Sequence, residues 1–520
     1  MGGDSLVAAP GGGRFRRLWG RGETDGARGF RFWRVSRATM VHRAAPTAVL
    51  VALMAGYAVY YGLWSLRKFD AFQAPAFDIG IFDQGVWLLS RGKEPFVTVL
   101  GLNLFGDHVS FIMLAFVPFY WLWAGPETLL VIQAMALAVG AIPIFLLART
   151  VLRNYWLALV PTVAYLLTPA LGWLNLENFH PDSVEVPLLL FALYFMMRGR
   201  WRLYLVMVLL LLTVKEDVVL ILVPLGLYVA IRHNRKMGLL TAGMAIAWFI
   251  VVFFLVQPLC SGASPGSLDS WRMPFGGFGG LIETAVLRPW EVVAYMLTTE
   301  KVKYLFQLLT PVLFLPLLTA RSLLILPVLF FNLISNFWYQ SNIQYHYHSL
   351  ITPVLSAMAL LALEVRFRST KARRVLVVVM LLATAFSAYM WGPIQGSRQP
   401  SYYPDPDHPQ AVAAAEAVAL IPSNAVVAAE DKFASHLTNR ELIYVFPTPF
   451  SATYWGDDSQ KGRRLRGADK VEYVLVMPGF LGEKSASLYD ALPAEGFVSV
   501  FDKEGIVLLQ RQPTAGDMVE

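Results

Sequence analysis

The stretch APTAVLVALMAGYAVYYGLWS, residues 45–65, decides the fold class. It holds no acidic or basic side chain and is as long as the ~20 residues an α-helix needs to cross a bilayer's hydrocarbon core. Nine arginines precede it: Arg14, Arg16, Arg17, Arg21, Arg28, Arg31, Arg34, Arg37 and Arg43. Arginine beside an apolar span holds that side in the cytoplasm and attracts anionic lipid. The formal charge of +7 therefore marks membrane topology and not nucleic-acid binding. Residues 1–43 show no packed-core pattern and read as a disordered cytoplasmic tail. They are too long and too glycine-rich for a signal peptide, so 45–65 reads as an uncleaved anchor. Met40 is an alternative start that removes most of this tail.

Apolar runs of similar length recur to about Trp391. With 56% hydrophobic and 15% charged residues and a mean hydropathy of +0.52, the chain reads as a polytopic membrane protein, mostly α. Basic loops mark the cytoplasmic side: Arg149/Arg153, Arg198/Arg200/Arg202, Arg232/Arg235/Lys236, Arg321 and Arg366 to Arg374. Placing each inside gives about eleven spans, near 45–65, 127–148, 155–175, 183–197, 202–214, 218–232, 238–258, 303–319, 322–337, 349–364 and 374–391. The run Val109 to Ala124 fits no span, because counting it puts Arg149 and Arg153 outside. Pro118 and the terminal aromatics (Phe119, Tyr120, Trp121, Trp123) favour a re-entrant or interfacial helix. The short runs either side of Lys215-Glu216-Asp217 read as two helices meeting in a protein-lined cavity.

The membrane domain thus covers 44–391, with a long first outer loop at 67–108. Residues 392–409 form a Pro-rich linker. From 410 to 512 the pattern changes to strands alternating with helices: helices near 411–420, 432–437 and 484–492, strands near 425–429, 442–446 and 471–477, and a hairpin over 498–510. The topology places this small α/β domain outside the cytoplasm, ahead of a short tail at 513–520. Cys260 is the only cysteine, so no internal disulfide or cysteine metal cluster can form.

The polar loops of this path converge on the outer face. Residues 79–89 carry Ile79, Phe82, Val86 and Leu89 on one helical face, which predicts an amphipathic helix at the membrane surface. Asp83 falls at the edge of that face. Asp78 precedes it, either as an N-cap or as a site carboxylate. Asp107 and His108 end the same loop. His180 and Asp182 lie in the next one, with Glu177 and Asn178, and Lys215, Glu216 and Asp217 at the short helix pair. Gln344, His346 and His348 complete the set. Histidine and carboxylate suit a divalent ion or proton transfer, and ionisable groups at membrane depth are costly and usually functional. No P-loop, HExxH, GxSxG or strand-to-helix GxGxxG is present, so no nucleotide cofactor is expected. Asp405-Pro406-Asp407 has a D-x-D form but lies in the linker and is set aside. The glycine-rich run 276–280 reads as a flexible loop able to cover the site.

Several stretches resemble the uncharacterised bacterial membrane-protein family named domain of unknown function 2079. They are FDIGIFDQGVW (77–87), GDHVSF (106–111), FHPD (179–182), VKEDVVL (214–220), QYHYHSLITPVL (344–355) and IPSNAVVAAEDKFASHLTNRELIYVFP (421–447). The family is similar, more distantly, to the GT-C membrane glycosyltransferases. That resemblance implies many helices, a first outer loop with an essential acid, often a C-terminal extracytoplasmic domain, and a polyprenyl-phosphate sugar carrier. Asp78 or Asp83 is the matching first-loop acid. No adjacent acidic pair stands there, which leaves the choice of base open.

The expected function is transfer of a sugar from a polyprenyl-phosphate donor to an envelope glycan or protein acceptor, on the outer face of the bacterial plasma membrane. Asp78 or Asp83 takes the acceptor proton. Lys215, His346, His348 and a divalent cation (Mg²⁺ or Mn²⁺) on Asp107, His108 or Glu216 offset the leaving phosphate. His180, Asp182, Asp217 and Gln344 complete the substrate-binding set. The alternative is a transporter or flippase of a lipid-linked envelope precursor, favoured by the break at Lys215-Glu216-Asp217 but not by any internal repeat.

Overall fold

A computed structural model describes residues 37–262, 272–399, 404–453, 455–456 and 458–512. Most of the predicted basic tail, part of the linker and the last eight residues lie outside the described residues.

The opening apolar run is the middle of a 34-residue helix, Arg37–Asp70. Among the described residues five helices are long and apolar enough to cross a membrane: Ala44–Asp70, Pro126–Leu152, Arg235–Ser261, His346–Arg366 and Thr370–Trp391. A sixth results if Tyr155–Leu166 and Pro169–Leu176, bent by 51°, count as one. The bend follows from Pro169, which has no N–H to give the preceding turn and drives Thr168 to extended ψ (123°).

The other runs predicted as spans are shorter. Asp182–Met197, Trp201–Leu212 and Val219–Arg232 have 16, 12 and 14 residues. The run near 303–319 breaks after Thr299–Leu309, where Pro311 and Pro316 bracket Leu313 and Phe314, both at φ 53°. Val109 to Ala124 likewise forms no span. It makes two short turns, Phe111–Ala115 and Val117–Tyr120, with Phe119, Trp121, Leu122 and Trp123 exposed.

His346–Arg366 is the central helix. Ile351, Val354, Ala357, Ala359 and Leu363 are fully buried in the largest apolar core. Arg235–Ser261 is peripheral and exposes Leu239, Ile246, Ile250, Phe254 and Leu259. Lipid gives helices no hydrophobic reason to associate, so they rely on close packing of small residues. At the contact between Val219–Arg232 and Arg235–Val251, a Cβ on Gly238 would stand 2.1 Å from the Ala230 nitrogen.

The C-terminal sheet forms where alternation predicted it. From one edge the strands are Ile443–Val445, Val427–Ala429, Tyr473–Val476, Ile506–Arg511 and Phe497–Lys503. The first three are mutually parallel and the last two pair antiparallel. Pro409–Ala419 and Glu483–Ala491 fall at the predicted helices.

This sheet sits against the first loop, and the two share one core. Phe72, Ile79, Phe82 and Val86 from the loop bury with Phe433, Leu437, Ile443 and Tyr473. The helix predicted to lie on the membrane surface, found at Ile81–Ser90, is instead largely enclosed by this contact. Its apolar stripe found protein before it found lipid.

Candidate active site

Distant chain segments meet around a cavity of about 550 Å³. The first loop brings Asp78, Asp107 and His108. The segment after Pro169–Leu176 brings Glu177, His180 and Asp182, and the break between Trp201–Leu212 and Val219–Arg232 brings Lys215. The approach to the central helix brings Tyr345, His346 and Tyr347. Thr453, Trp455 and Gly456 of the C-terminal region complete the wall.

Asp78 occupies φ 87°, ψ −89°, a region that a residue with a Cβ adopts only when its surroundings impose it. It caps no helix, and its half-buried carboxylate receives no hydrogen bond among the described residues. The N-cap reading is thereby replaced. Strain of this kind concentrates at functional sites. Desolvation, then the charges of Glu177 and Asp431, push the Asp78 pKa well above the usual carboxylate value, against the pull of Lys215.

Behind Asp78 lies a group of three. His180 Nε2 is 3.8 Å from Asp78 Oδ2 and 3.7 Å from Glu177 Oε2. His346 Nδ1 is 3.3 Å from Glu177 Oε2. The two imidazoles stack at 3.7 Å between centroids. The backbone here is held from several sides. Gln133 donates to the carbonyls of Asn175 (2.9 Å) and Asn178 (2.7 Å) and accepts from the His180 N–H (3.0 Å). Asn178 reaches Pro75 O at 3.3 Å, tying this segment to the turn that carries Asp78.

Burial, reinforced by the His346 charge, lowers His180 to about 3, so its imidazole is neutral and able to ligate. Burial raises Glu177 to about 7, opposed by His180 and Lys68. His180 is 4% exposed, yet its Nε2 has no hydrogen-bond partner among the described residues. Ligand atoms of Glu177, His180 and His346 lie within 4.8 Å of one another, as a shared metal ion requires.

The other predicted residues divide clearly. Asp182 forms a buried ion pair with Lys215 at 3.2 Å. His108 is bound by Glu216 at 2.7 Å and stands 3.9 Å from Asp107. Burial works against the Glu216 anion, but His108 and Lys215 hold it down at about 2. Of the predicted metal pair, His108 thus engages Glu216, while a metal-type grouping stands at Glu177, His180 and His346. Asp217 is half-buried and lies outside the cavity wall. Gln344 lines a separate cavity of about 590 Å³, with Lys301 and Asn342. His348 is spent on the Ile343 carbonyl (3.1 Å) and Thr352 (3.2 Å).

Asp83 does not reach the cavity. It is fully buried and accepts from Tyr120 (2.6 Å), Thr438 (2.6 Å) and Asn439 (3.2 Å). Of the two first-loop acids, only Asp78 faces the open space. Sequence reading noted Glu177 but gave it no role. Its spacing of three from His180 was the available signal. Trp455 carried none.

The chain belongs to the DUF2079 family of predicted membrane proteins. The match runs over residues 68–491 and so contains every loop of the cavity. No curated protein matches this DUF2079 chain by sequence. Among solved structures it is similar to ArnT from Cupriavidus metallidurans, a GT-C glycosyltransferase. The structure of ArnT bound to undecaprenyl phosphate aligns with a TM-score of 0.53 at 13% identity, covering 92% of this chain and 100% of that one. Apo ArnT aligns at 0.51 and 13%, covering 90% and 100%. The DUF2079 protein is thus a many-helix membrane protein of GT-C-like fold with a small C-terminal sheet, as its motifs implied.

Proposed function

We propose that this protein transfers a sugar from a polyprenyl-phosphate carrier to an envelope acceptor, on the membrane face away from the cytoplasm, with Asp78 as general base. The observation that carries the proposal is Asp78 itself: a carboxylate on a strained backbone that accepts no hydrogen bond among the described residues, at a cavity of about 550 Å³, in a fold similar to ArnT. The polyprenyl phosphate bound to ArnT supports a lipid carrier of that class here.

In the reaction, the acceptor hydroxyl gives its proton to a carboxylate oxygen of Asp78. The acceptor oxygen bonds to the anomeric carbon while the bond from that carbon to the phosphate oxygen breaks. The phosphate leaves with the electron pair. Burial, by raising the Asp78 pKa, makes its carboxylate a stronger base than an exposed one. Lys215 and Arg272 line the cavity and offer positive charge to the departing phosphate. The aromatic faces of Tyr345, Tyr347 and Trp455 can receive a sugar ring and exclude water.

The residues present fit a divalent cation. Among the described residues His180 Nε2 is buried without a hydrogen-bond partner and stands 3.8 and 3.7 Å from two carboxylates, and the mixed nitrogen and oxygen set suits zinc or manganese better than magnesium. Glu177, His180 and His346 would hold it, in place of the Asp107 and His108 read from sequence. It would supply further positive charge beside the leaving group. From the break at Lys215-Glu216-Asp217, Lys215 lines the cavity wall, a place for this break that supports transfer over transport.

A panel of radiolabelled polyprenyl-phosphate sugars offered to protein in lipid, with and without Zn²⁺, Mn²⁺ or Mg²⁺, tests the reading. Label release or transfer is expected with at least one donor. Donor binding without turnover, together with movement of the lipid between leaflets, contradicts it in favour of the flippase.

A further inference from the structure

The stretch 421–447 carries no side chain of the cavity wall, yet its middle grips the turn that holds Asp78. Asp431 Oδ1 accepts the Phe77 N–H at 3.0 Å, one residue before Asp78. Thr438 packs on the other side of the turn, where Gly80 leaves space. A Cβ on Gly80 would lie 3.1 Å from Thr438 Cγ2 and 2.9 Å from Ala76 Cβ. Four residues further, the Gln84 amide donates to the carbonyls of Arg440 (3.3 Å) and Glu441 (3.0 Å). Before the turn, the His436 ring lies between Phe69 and Phe72, 3.9 Å from each, and its Nε2 is 3.0 Å from Phe69 O.

We infer that the C-terminal domain is a template for the active-site acid, and that Asp431 is the positioning residue that holds Asp78 aimed into the cavity. A positive φ at a residue with a Cβ is not kept by the local chain, which relaxes to φ below zero when released. Relaxation at Asp78 swings its carboxylate away from His180 and Glu177. The fixed points at 69, 72, 77, 80 and 84 lie on both sides of Asp78 and all come from 431–441. Asp431 holds the one nearest the strain. Apart from the influence of its charge on Asp78, the aspartate acts through the Phe77 backbone, and it lines no part of the cavity. This role differs from acceptor selection, the part that a C-terminal domain in such a chain otherwise invites.

The inference rests on Asp78 being the base, but its first test does not. Hydrogen exchange of the full-length protein in lipid compares wild type with Asp431→Ala and Asp431→Asn. The peptide spanning 76–80 should exchange faster in Asp431→Ala. It should stay native in Asp431→Asn, whose amide oxygen accepts the same N–H. Peptides over 473–476 and 506–511 report whether the sheet remains folded. Unchanged exchange at 76–80 in Asp431→Ala overturns the inference. Should that variant lose the whole sheet, Asp431→Asn decides: native exchange supports the acceptor role, and a loss equal to that of alanine overturns it. In the transfer reaction Asp431→Ala should lower kcat about 10²-fold with KM unchanged, and Asp431→Asn should restore it. A raised KM with kcat intact contradicts a positioning role. If no variant and no wild type transfers sugar, the functional reading has failed, while the exchange result stands by itself.

Discussion

Asp83→Ala should loosen the C-terminal sheet from the first loop and leave the apolar helices folded. Asp83 is fully buried, and its donors come from two otherwise separate segments: Tyr120 on one side, Thr438 and Asn439 on the other. Removing the carboxylate strands the Tyr120 hydroxyl, which is 2% exposed, and the Asn439 amide. Thr438 loses less, because the Ser435 carbonyl lies 3.0 Å from its hydroxyl as a second acceptor. At ~1–3 kcal/mol for each buried donor left unpaired, the change costs about 2–4 kcal/mol. Asp83→Asn keeps one acceptor oxygen and costs about 1 kcal/mol.

The pH dependence separates this from simple truncation. Burial raises Asp83 to about 7, although Thr438 and Tyr120 pull it down. The folded state therefore holds the proton more tightly than the unfolded chain does. Stability from this group is complete below the unfolded value of 3.8, falls as pH rises, and is spent by about pH 7. That interval is worth roughly 4 kcal/mol at ~1.4 kcal/mol per pH unit. Asp83→Asn should remove the slope between pH 4 and 7. The assay is thermal unfolding in nanodiscs from pH 4 to 8, with proteolysis at 392–409 reporting release of the sheet. An Asp83→Ala protein within 0.5 kcal/mol of wild type, with the same pH slope, refutes the reasoning.

Lys215→Met should destabilise by about 3–5 kcal/mol because it leaves Asp182 as an uncompensated buried charge, and adding Asp182→Asn should recover most of the loss in thermal unfolding. Glu177→Gln, His180→Ala and His346→Ala should each abolish binding of one zinc or manganese per chain in elemental analysis, whereas Asp107→Asn should keep it. Equal metal content in all four contradicts the proposed ligand set. Gly101→Ala combines a φ of 73° with a Cβ placed 2.3 Å from the Trp455 ring, so it should displace that ring and weaken polyprenyl-phosphate binding without unfolding the helices. Unchanged lipid affinity and Trp fluorescence would count against Trp455 as cavity wall.

The C-terminal strands could be read from the sequence because alternation and turn residues are local signals, and Val427–Ala429, Tyr473–Val476 and the final hairpin fall where they were predicted. Span number could not be read in this way. An apolar run records length and composition, but Pro169 bends one run and the Leu313 and Phe314 backbone breaks another. The FHPD and YHYH loops announced themselves as ionisable groups amid apolar sequence, and they do meet in one cavity. The choice between Asp78 and Asp83 was beyond sequence reading, since it turns on which carboxylate Thr438 and Asn439 cover, more than 350 residues away along the chain. The long-range contact buries Asp83, whereas Asp78 lines the cavity. The sequence assigns Glu177 no role for a related reason: a third ligand is evident only once His346 lies against it.

The most direct test of the central claim is single-turnover sugar transfer by wild type and Asp78→Asn, side by side in lipid, with polyprenyl-phosphate affinity measured on the same preparations. Asparagine keeps the size of the side chain and removes the base. The account predicts native lipid affinity in both proteins and transfer in the wild type alone. Equal transfer by the two contradicts it.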